Sequence, residues 1–327
     1  VEGRRPVLTV TLNPALDVTY EVEGVNWSDV NRPAAAWTRP GGKGLNVART
    51  LHAAGCPVVA TGMLGGPTGQ AVLSALERGG VPGAFCQIAG ETRRTFVVVD
   101  SGTGQTASFY EHGPPVDLAE FARFSAQYES LLAGCAAVVL SGSLPPGVPP
   151  DAYGQLISMA VAAGVPSVLD AGGQSLRYGV SAGPDIAKPN LAELEAWSGR
   201  PLRSGNGLID HSAVTSAAAG LRRAGAKSVV VSLGADGLVA MTPGRVWRAR
   251  APEPVAGNAT GAGDAAAAGL ALWLAGCLAE SGWASALRHA AALGAATVAS
   301  PVAGEFSAAV YQRALADIVV TSVEGER

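Results

Sequence analysis

Lysine is scarce in this 327-residue chain: Lys43, Lys188 and Lys227 are the only three among 23 basic residues. Charged residues make up 15% of the sequence and the formal net charge is −3. That balance leaves no basic stripe of the kind nucleic-acid binding needs. Long apolar runs are also missing. The longest, from Ala265 to Ala279, is about 15 residues and rich in Ala and Gly, so a buried helix is expected there and no membrane partner. The opening residues Val1 to Pro6 precede no apolar signal-type region, so no signal peptide is expected and the expected location is cytoplasmic. The four cysteines, Cys56, Cys86, Cys135 and Cys277, lie far apart and match neither metal-ligand nor disulfide spacing. They read as buried thiols of a reducing compartment. The four histidines are scattered, and none is placed for catalysis. There is no GxGxxG in a strand–turn–helix context, no HExxH and no HRD, which argues against dinucleotide, zinc-hydrolase and protein-kinase chemistry.

What is present reads as a globular α/β chain, expected to be one domain over residues 1–327. Apolar strands at Val7–Leu12, Val58–Met63, Ala136–Leu140, Ser167–Asp170 and Ser228–Leu233 alternate with helical segments. The helices are expected at Leu45–Ala54, Gln70–Arg78, Leu118–Leu132, Ala152–Ala163 and Ala213–Ala224. Continuous apolar strands alternating with helices imply a parallel sheet covered on both faces. Ligands bind such sheets beyond the carboxyl ends of the strands, which here carry Asn13 to Asp17, Ser141 to Ser143, Asp170 and Lys188 to Asn190. Two segments, 17–39 and 92–111, alternate like strands with no helix between (Val18, Tyr20, Val22; Phe96, Val98), and read as a small separate sheet, a lid or a pair of surface hairpins.

Four local patterns point to chemistry. Gly261-Ala262-Gly263-Asp264 runs directly into an apolar helix, so backbone amides and the helix dipole converge where Asp264 faces whatever anion binds. A carboxylate there is expected to have a depressed pKa. Gly41-Gly42-Lys43-Gly44-Leu45-Asn46 is a glycine-rich turn opening a helix, without the spacing or the Ser/Thr of a P-loop. It suits close backbone approach to a small polar ligand, with Lys43 and Asn46 as contacts. Lys188-Pro189-Asn190 opens another helix with Glu193 three residues on, a pattern that serves as a capping box and also as an oxygen pair near phosphate-bound Mg2+. Ser232-Leu233-Gly234-Ala235-Asp236-Gly237 lies between two strands, as a plain tight turn or a phosphate wrap. Where positive charge alone is needed this chain uses Arg, so Lys43 and Lys188 mark places that require a compact ammonium; Lys227 reads as a surface residue.

In this order, these segments resemble the PfkB carbohydrate-kinase family of the ribokinase-like superfamily, closest to its 1-phosphofructokinase and tagatose-6-phosphate kinase branch. The matching stretches also include Thr11 to Asp17, Val30 to Arg32, Thr92-Arg93 and Ser141 to Gly147, so the resemblance spans nearly the whole chain. It implies a three-layer α/β/α ribokinase-like fold with a β lid, a homodimer through that lid, and ATP and Mg2+ as cofactors. It also implies transfer of the γ-phosphoryl group to a ketohexose phosphate, fructose 1-phosphate first. Asp264 would be the general base, and the amides of Gly261, Ala262 and Gly263 the anion hole. Asp17, Gly42 and Asn46 would hold sugar hydroxyls; Lys43, Arg32 and Arg93 would hold the existing phosphate. Lys188, Asn190, Ser232, Gly234 and Gly237 would lie along ATP, with Glu193 and Asn190 organising Mg2+.

The sequence departs from that pattern at Tyr110-Glu111-His112-Gly113-Pro114, where many members of the branch carry Asn-Glu-Pro-Gly-Pro, and at Ala171-Gly172, where they carry Thr-Ser. The first change falls in the expected lid over the sugar, so the acceptor is less defined than the kinase activity. Tagatose 6-phosphate, fructose 6-phosphate and an unphosphorylated sugar or nucleoside are the alternatives within the class. A catalytically silent sugar-binding regulator is the alternative outside it.

Overall fold

The computed structural model describes residues 3–300 and 305–324. The strands are β1 (Val7–Thr11), β2 (Ala15–Val22), β3 (Ala35–Gly41), β4 (Val58–Leu64), β5 (Gly83–Gln87), β6 (Arg93–Asp100) and β7 (Thr106–Tyr110). They continue with β8 (Ala137–Ser141), β9 (Ser167–Asp170), β10 (Ile186–Ala187), β11 (Ser228–Ser232), β12 (Leu238–Thr242), β13 (Arg245–Arg250) and β14 (Val319–Glu324). The helices are α1 (Lys43–Ala53), α2 (Gly66–Arg78), α3 (Leu118–Leu132), α4 (Ala152–Ala162) and α5 (Gly173–Ser181), followed by α6 (Leu191–Ser198), α7 (His211–Arg223), α8 (Ala262–Leu274), α9 (Trp283–Val298) and α10 (Ala308–Asp317).

Ten strands form the main sheet in the order β14-β13-β12-β11-β10-β9-β8-β1-β4-β5. From β5 to β11 all neighbours pair in parallel, and β12 to β14 are added antiparallel. The period of two along each strand divides the core. In β1, Leu8 and Val10 join Phe124, Tyr128 and Tyr153 on one face, whereas Val7 joins Leu45, Leu51 and Leu270 on the other. Strand β8 does the same with Val138 and Leu140 against Ala137 and Val139. Helices α3 to α7 cover the first face, and α1, α2, α8 and α9 the second. This is the expected three-layer arrangement.

The segments that broke the alternation form a separate four-stranded sheet, β3-β2-β6-β7. Its central pair, β2 and β6, is parallel, and each hairpin partner is antiparallel. At one end Asp100 ties the two hairpins together, accepting from the amides of Gly24, Val25, Gly102 and Thr103 at 2.9–3.2 Å. The sequence reading placed the parallel strands other than β5, and most helices, within a few residues. It did not place β5, β13, β14, α5, α9 or α10, and it started α2 at Gln70 rather than Gly66.

Among the described residues no helix is long and apolar enough to cross a membrane. The cysteines are free thiols as read, with Cys56, Cys86 and Cys135 buried and Cys277 half-buried. Cys56 and Cys277 bring their sulfurs to 2.8 Å, although 221 positions separate them. Spacing along the chain carried no information about this pair, because α1 and α8 lie side by side and end together.

Candidate active site

The carboxyl ends of β1, β8, β9, β10 and β11 face the N-termini of α1, α6 and α8, and the chemistry-bearing side chains gather there. Helix α8 is capped by Gly261, whose φ of 83° is a left-handed conformation that a residue with a Cβ adopts only at a cost. Two residues of the first turn then separate it from Asp264. The Ala262 amide donates to the Ala259 carbonyl at 3.2 Å, so within the Gly261–Gly263 run it is committed to the turn, and the Gly263 and Asp264 amides head the helix.

Asp264 is buried, 6% exposed, and its Oδ2 accepts from Asn46 Nδ2 at 2.8 Å. Burial, reinforced by the neighbouring Asp170 carboxylate, pushes Asp264 from 3.8 up to about 7, against the opposing pull of Lys43, the Asn46 amide and Lys188. The expectation of a depressed pKa is therefore overturned. Desolvation of a fully enclosed carboxylate outweighs a helix dipole that contributes at most about 2 kcal/mol.

Asp170, at the end of β9, is the residue around which the cations are arranged. Lys43 Nζ donates to its Oδ1 at 3.1 Å, and Lys188 Nζ lies 3.2 Å from its Oδ2. Burial works to raise this carboxyl, but Lys188 and Lys43 overcome it and hold it below its ordinary value. Lys43 reaches Glu193 Oε1 as well, at 3.3 Å. Burial disfavours its charge, yet Asp170, Glu193 and Asp264 together raise its pKa. The sequence reading noted Asp170 at a strand end but gave it no role. The signal was there: an acidic residue closing an otherwise apolar parallel strand, where ligands bind.

The capping-box reading of Asn190 and Glu193 is met. Asn190 Oδ1 accepts from the Glu193 amide and Glu193 Oε2 from the Asn190 amide, both at 2.8 Å. The glycine-rich turn before α1 is explained largely by packing. Gly42 has a φ of 107°, and a Cβ on Gly44 would run into Thr11 and the Val10 carbonyl of β1. Its glycines let helix and strand backbones approach each other, which leaves Lys43 and Asn46 as the side chains the turn delivers.

On the lid side, Asp17 lies so close to Gly41 that a Cβ there would collide with its carboxyl. Burial raises the Asp17 pKa against the Thr95 hydroxyl, Arg93 and Arg49. Arg93 donates to the carbonyls of Asn13 at 3.2 Å and Glu111 at 3.1 Å. Arg49, which the reading did not single out, lies one turn beyond Asn46 on α1 and interacts electrostatically with both Asp17 and Asp264. Arg32 sits elsewhere, in the exposed 23–34 loop, and makes no ion pair with the described residues. Lys227 is on the surface as expected, 59% exposed and paired with Asp185 at 2.8 Å.

A cleft of about 710 Å³ leads away from the start of α8. Asn190, Ser232, Gly234, Gly237, Ala262 and Gly263 line it, and its far part is apolar, with Leu238, Val255 and Val298. Buried Lys188 stands behind this wall, where a Cβ on Gly263 would lie 3.5 Å from Lys188 Nζ. Gly237 has a structural reason of its own: its φ is 80°, and a Cβ would strike the Ala249 carbonyl. Among the described residues no three His, Cys, Asp or Glu side chains form a metal cage. A largely apolar cleft thus opens at a helix N-terminus, with a buried lysine and a buried carboxylate beside the Gly263 wall.

The comparisons give the family. Residues 10–308 match the pfkB family carbohydrate kinases, and the chain belongs to that family; it is a phosphotransferase. Escherichia coli phosphofructokinase-2 in complex with fructose-6-phosphate is 30% identical and superposes with a TM-score of 0.85, covering 96% of this chain and 98% of that one. A Thermotoga maritima protein described as a possible 1-phosphofructokinase is 26% identical, with a TM-score of 0.84 and coverage of 97% and 99%. Arabidopsis thaliana ribokinase complexed with ribose and ATP shares the fold at 20% identity, with a TM-score of 0.71 and coverage of 95% and 99%.

Proposed function

We propose that this PfkB-family kinase transfers the γ-phosphoryl group of ATP to a hydroxyl of a ketohexose phosphate, with fructose 1-phosphate the leading acceptor and fructose 6-phosphate and tagatose 6-phosphate the rivals. The observation that carries the reading is Asp264, buried between the nucleotide-sized cleft and the lid, with its pKa raised to about 7 and its Oδ2 fixed by Asn46. A carboxylate of that basicity takes a hydroxyl proton near neutral pH far better than an ordinary aspartate. In the proposed step the acceptor oxygen attacks the γ-phosphorus, its proton passes to Asp264, and the bond to ADP breaks. Phosphoryl transfer has a loose transition state, so the protein contributes mainly position and charge. Lys188 and the amides of Gly263 and Asp264 supply the charge, while Asn190, Ser232, Gly234 and Gly237 border ATP.

Mg2+ suits this site as an ion carried by phosphates rather than caged by protein, since it keeps several waters and binds through one or two carboxylates. Glu193, held by the Asn190 cap and now paired through Oε1 with Lys43, would hold it there, and the ion would neutralise phosphate charge when bound. On the acceptor side, Asp17, Gly42 and Asn46 are assigned to sugar hydroxyls and Lys43 and Arg93 to the existing phosphate. Arg32 keeps that assignment only if its loop folds in, or if a second copy presents it. The exposed lid residues Phe109, Tyr110 and Trp27 support a homodimer through the lid.

The test is ADP release with Mg·ATP and fructose 1-phosphate, fructose 6-phosphate, tagatose 6-phosphate, fructose or ribose. Turnover of one phosphosugar at least tenfold above the free sugars is the expected result. Preference for a free sugar would overturn the phosphate assignment of Lys43 and Arg93. ATP binding with no turnover would favour the silent regulator.

A further inference from the structure

Helices α1 and α8 are joined at both ends. At their N-termini Asn46 donates to Asp264, and just beyond their C-termini Cys56 and Cys277 meet with Sγ atoms 2.8 Å apart. Both cysteines stand in short turns that leave the helices, Gly55-Cys56-Pro57 and Gly276-Cys277, so each helix delivers its sulfur to the same place. That contact is within about 1 Å of a covalent disulfide, for which S–S is about 2.05 Å. The other two cysteines have no sulfur partner among the described residues. Cys86 and Cys135 are buried, and their thiols meet the carbonyls of Gln87 at 3.9 Å and Leu131 at 3.1 Å.

We propose that Cys56 and Cys277 form a redox modification site, a vicinal dithiol that a low-molecular-weight disulfide oxidises to an intramolecular cystine. Cys277 is partly exposed and Cys56 buried, so the small disulfide meets Cys277 first. Burial and the contact with Cys277 also hold the Cys56 thiol well above its ordinary pKa, which makes Cys277 the entering nucleophile. Its thiolate attacks one sulfur of the small disulfide and expels the other half as a thiolate. Cys56 then gives up its proton and attacks Cys277 Sγ, expelling the second half. One small disulfide becomes two small thiols, which carry away the two cysteine protons, and one S–S bond joins the chain. The bond closes a loop of more than two hundred residues and lies about 20 Å from Asp264 along the 13-residue α8. It therefore acts as a staple on the second helical layer, remote from the chemistry, and restricts the unfolded chain.

The experiment is incubation of the full chain with oxidised glutathione, followed by thiol counting in denaturant, peptide mapping and thermal unfolding. Titratable thiols should fall from four to two, one peptide pair should link Cys56 to Cys277, and the midpoint should rise by about 3–6 °C. Dithiothreitol should reverse all three. Cys86→Ser should keep the link and the rise, and Cys277→Ser should lose both. Four thiols remaining after oxidation would overturn the proposal. So would a glutathione adduct on Cys277 with no linked peptide, or an equal rise in the Cys277→Ser variant.

Discussion

At the carboxyl edge of the main sheet, Asp170 is 1% exposed and stands between two lysines, with a second buried carboxylate, Asp264, close enough to be shifted by it. At the tip of the lid, Asp100 meets no cation and instead gathers four backbone amides from two turns. Both aspartates are compensated, but by different means. In the sheet edge the partners are formal charges that had to be desolvated together, at several kcal/mol per ion. In the lid they are backbone dipoles, which hold Asp100 at about 2, the Val25 amide first among them. The sheet edge thus keeps charge in store for a reaction, and the lid uses charge only to fix its own shape. Removing a group from the first should therefore alter chemistry and global stability. Removing one from the second should alter local order.

The largest effect is expected at Asp264. Asp264→Asn should lower kcat by about 10²–10⁴ with the fold retained. In the wild type, kcat/KM should fall on the acid side with a midpoint near 7, where Asp264 takes up its proton. A profile flat from pH 5 to 8 would remove Asp264 from the role of base. Stability should respond in the opposite sense. The folded protein holds this proton more tightly than the unfolded chain, so the contribution of Asp264 is greatest below 3.8 and is lost as pH rises through about 7. Asp264→Asn should consequently be the more stable protein at pH 8, by about 1–4 kcal/mol at about 1.4 kcal/mol per pKa unit. Denaturant unfolding at pH 8 and pH 4 checks this, and the difference should shrink at the lower pH.

Next in size is Lys188→Met, which leaves Asp170 with Lys43 as its remaining cation. The expected loss is about 2–4 kcal/mol, below the full cost of orphaning a buried ion because Lys43 stays. Adding Asp170→Asn to Lys188→Met should recover part of it, and a double-mutant cycle measures how much. Additive losses would mean that the pair is a coincidence of packing and that the sheet edge stores no coupled charge.

How much of this was legible in the sequence follows the same division. The parallel strands carry near-continuous apolar runs because helices cover both faces, so β1, β8, β9 and β11 could be read directly. Strands β13 and β14 mix Arg, Thr, Ser and Val at one edge of the sheet and carry no such signal. Asp264 was legible because Gly261, Ala262 and Gly263 are more than a cap requires. Its raised pKa was not, since that depends first on burial and then on Asp170, which lies 94 positions earlier. Nor was the Cys56–Cys277 contact, which depends on two helices ending side by side. The Asn190–Glu193 box was legible because both partners lie within one turn. Local chemistry could be read from the chain, and chemistry assembled across the sheet could not.

The smallest effect tests the lid. Asp100 lies below its ordinary 3.8, so its contribution is present above pH 3.8 and is lost as pH falls toward 2. The amide resonances of Gly24, Val25, Gly102 and Thr103 should then titrate together with a midpoint near 2, as they share this one acceptor. Asp100→Ala should abolish that titration and speed amide exchange at all four positions. The midpoint of global unfolding should move by no more than about 2 °C, because the two turns can loosen while the main sheet stays closed. A cooperative loss of the whole fold in Asp100→Ala would show that the lid belongs to the same stability unit as the main sheet. The separation drawn between stored charge and shape-fixing charge would then fail.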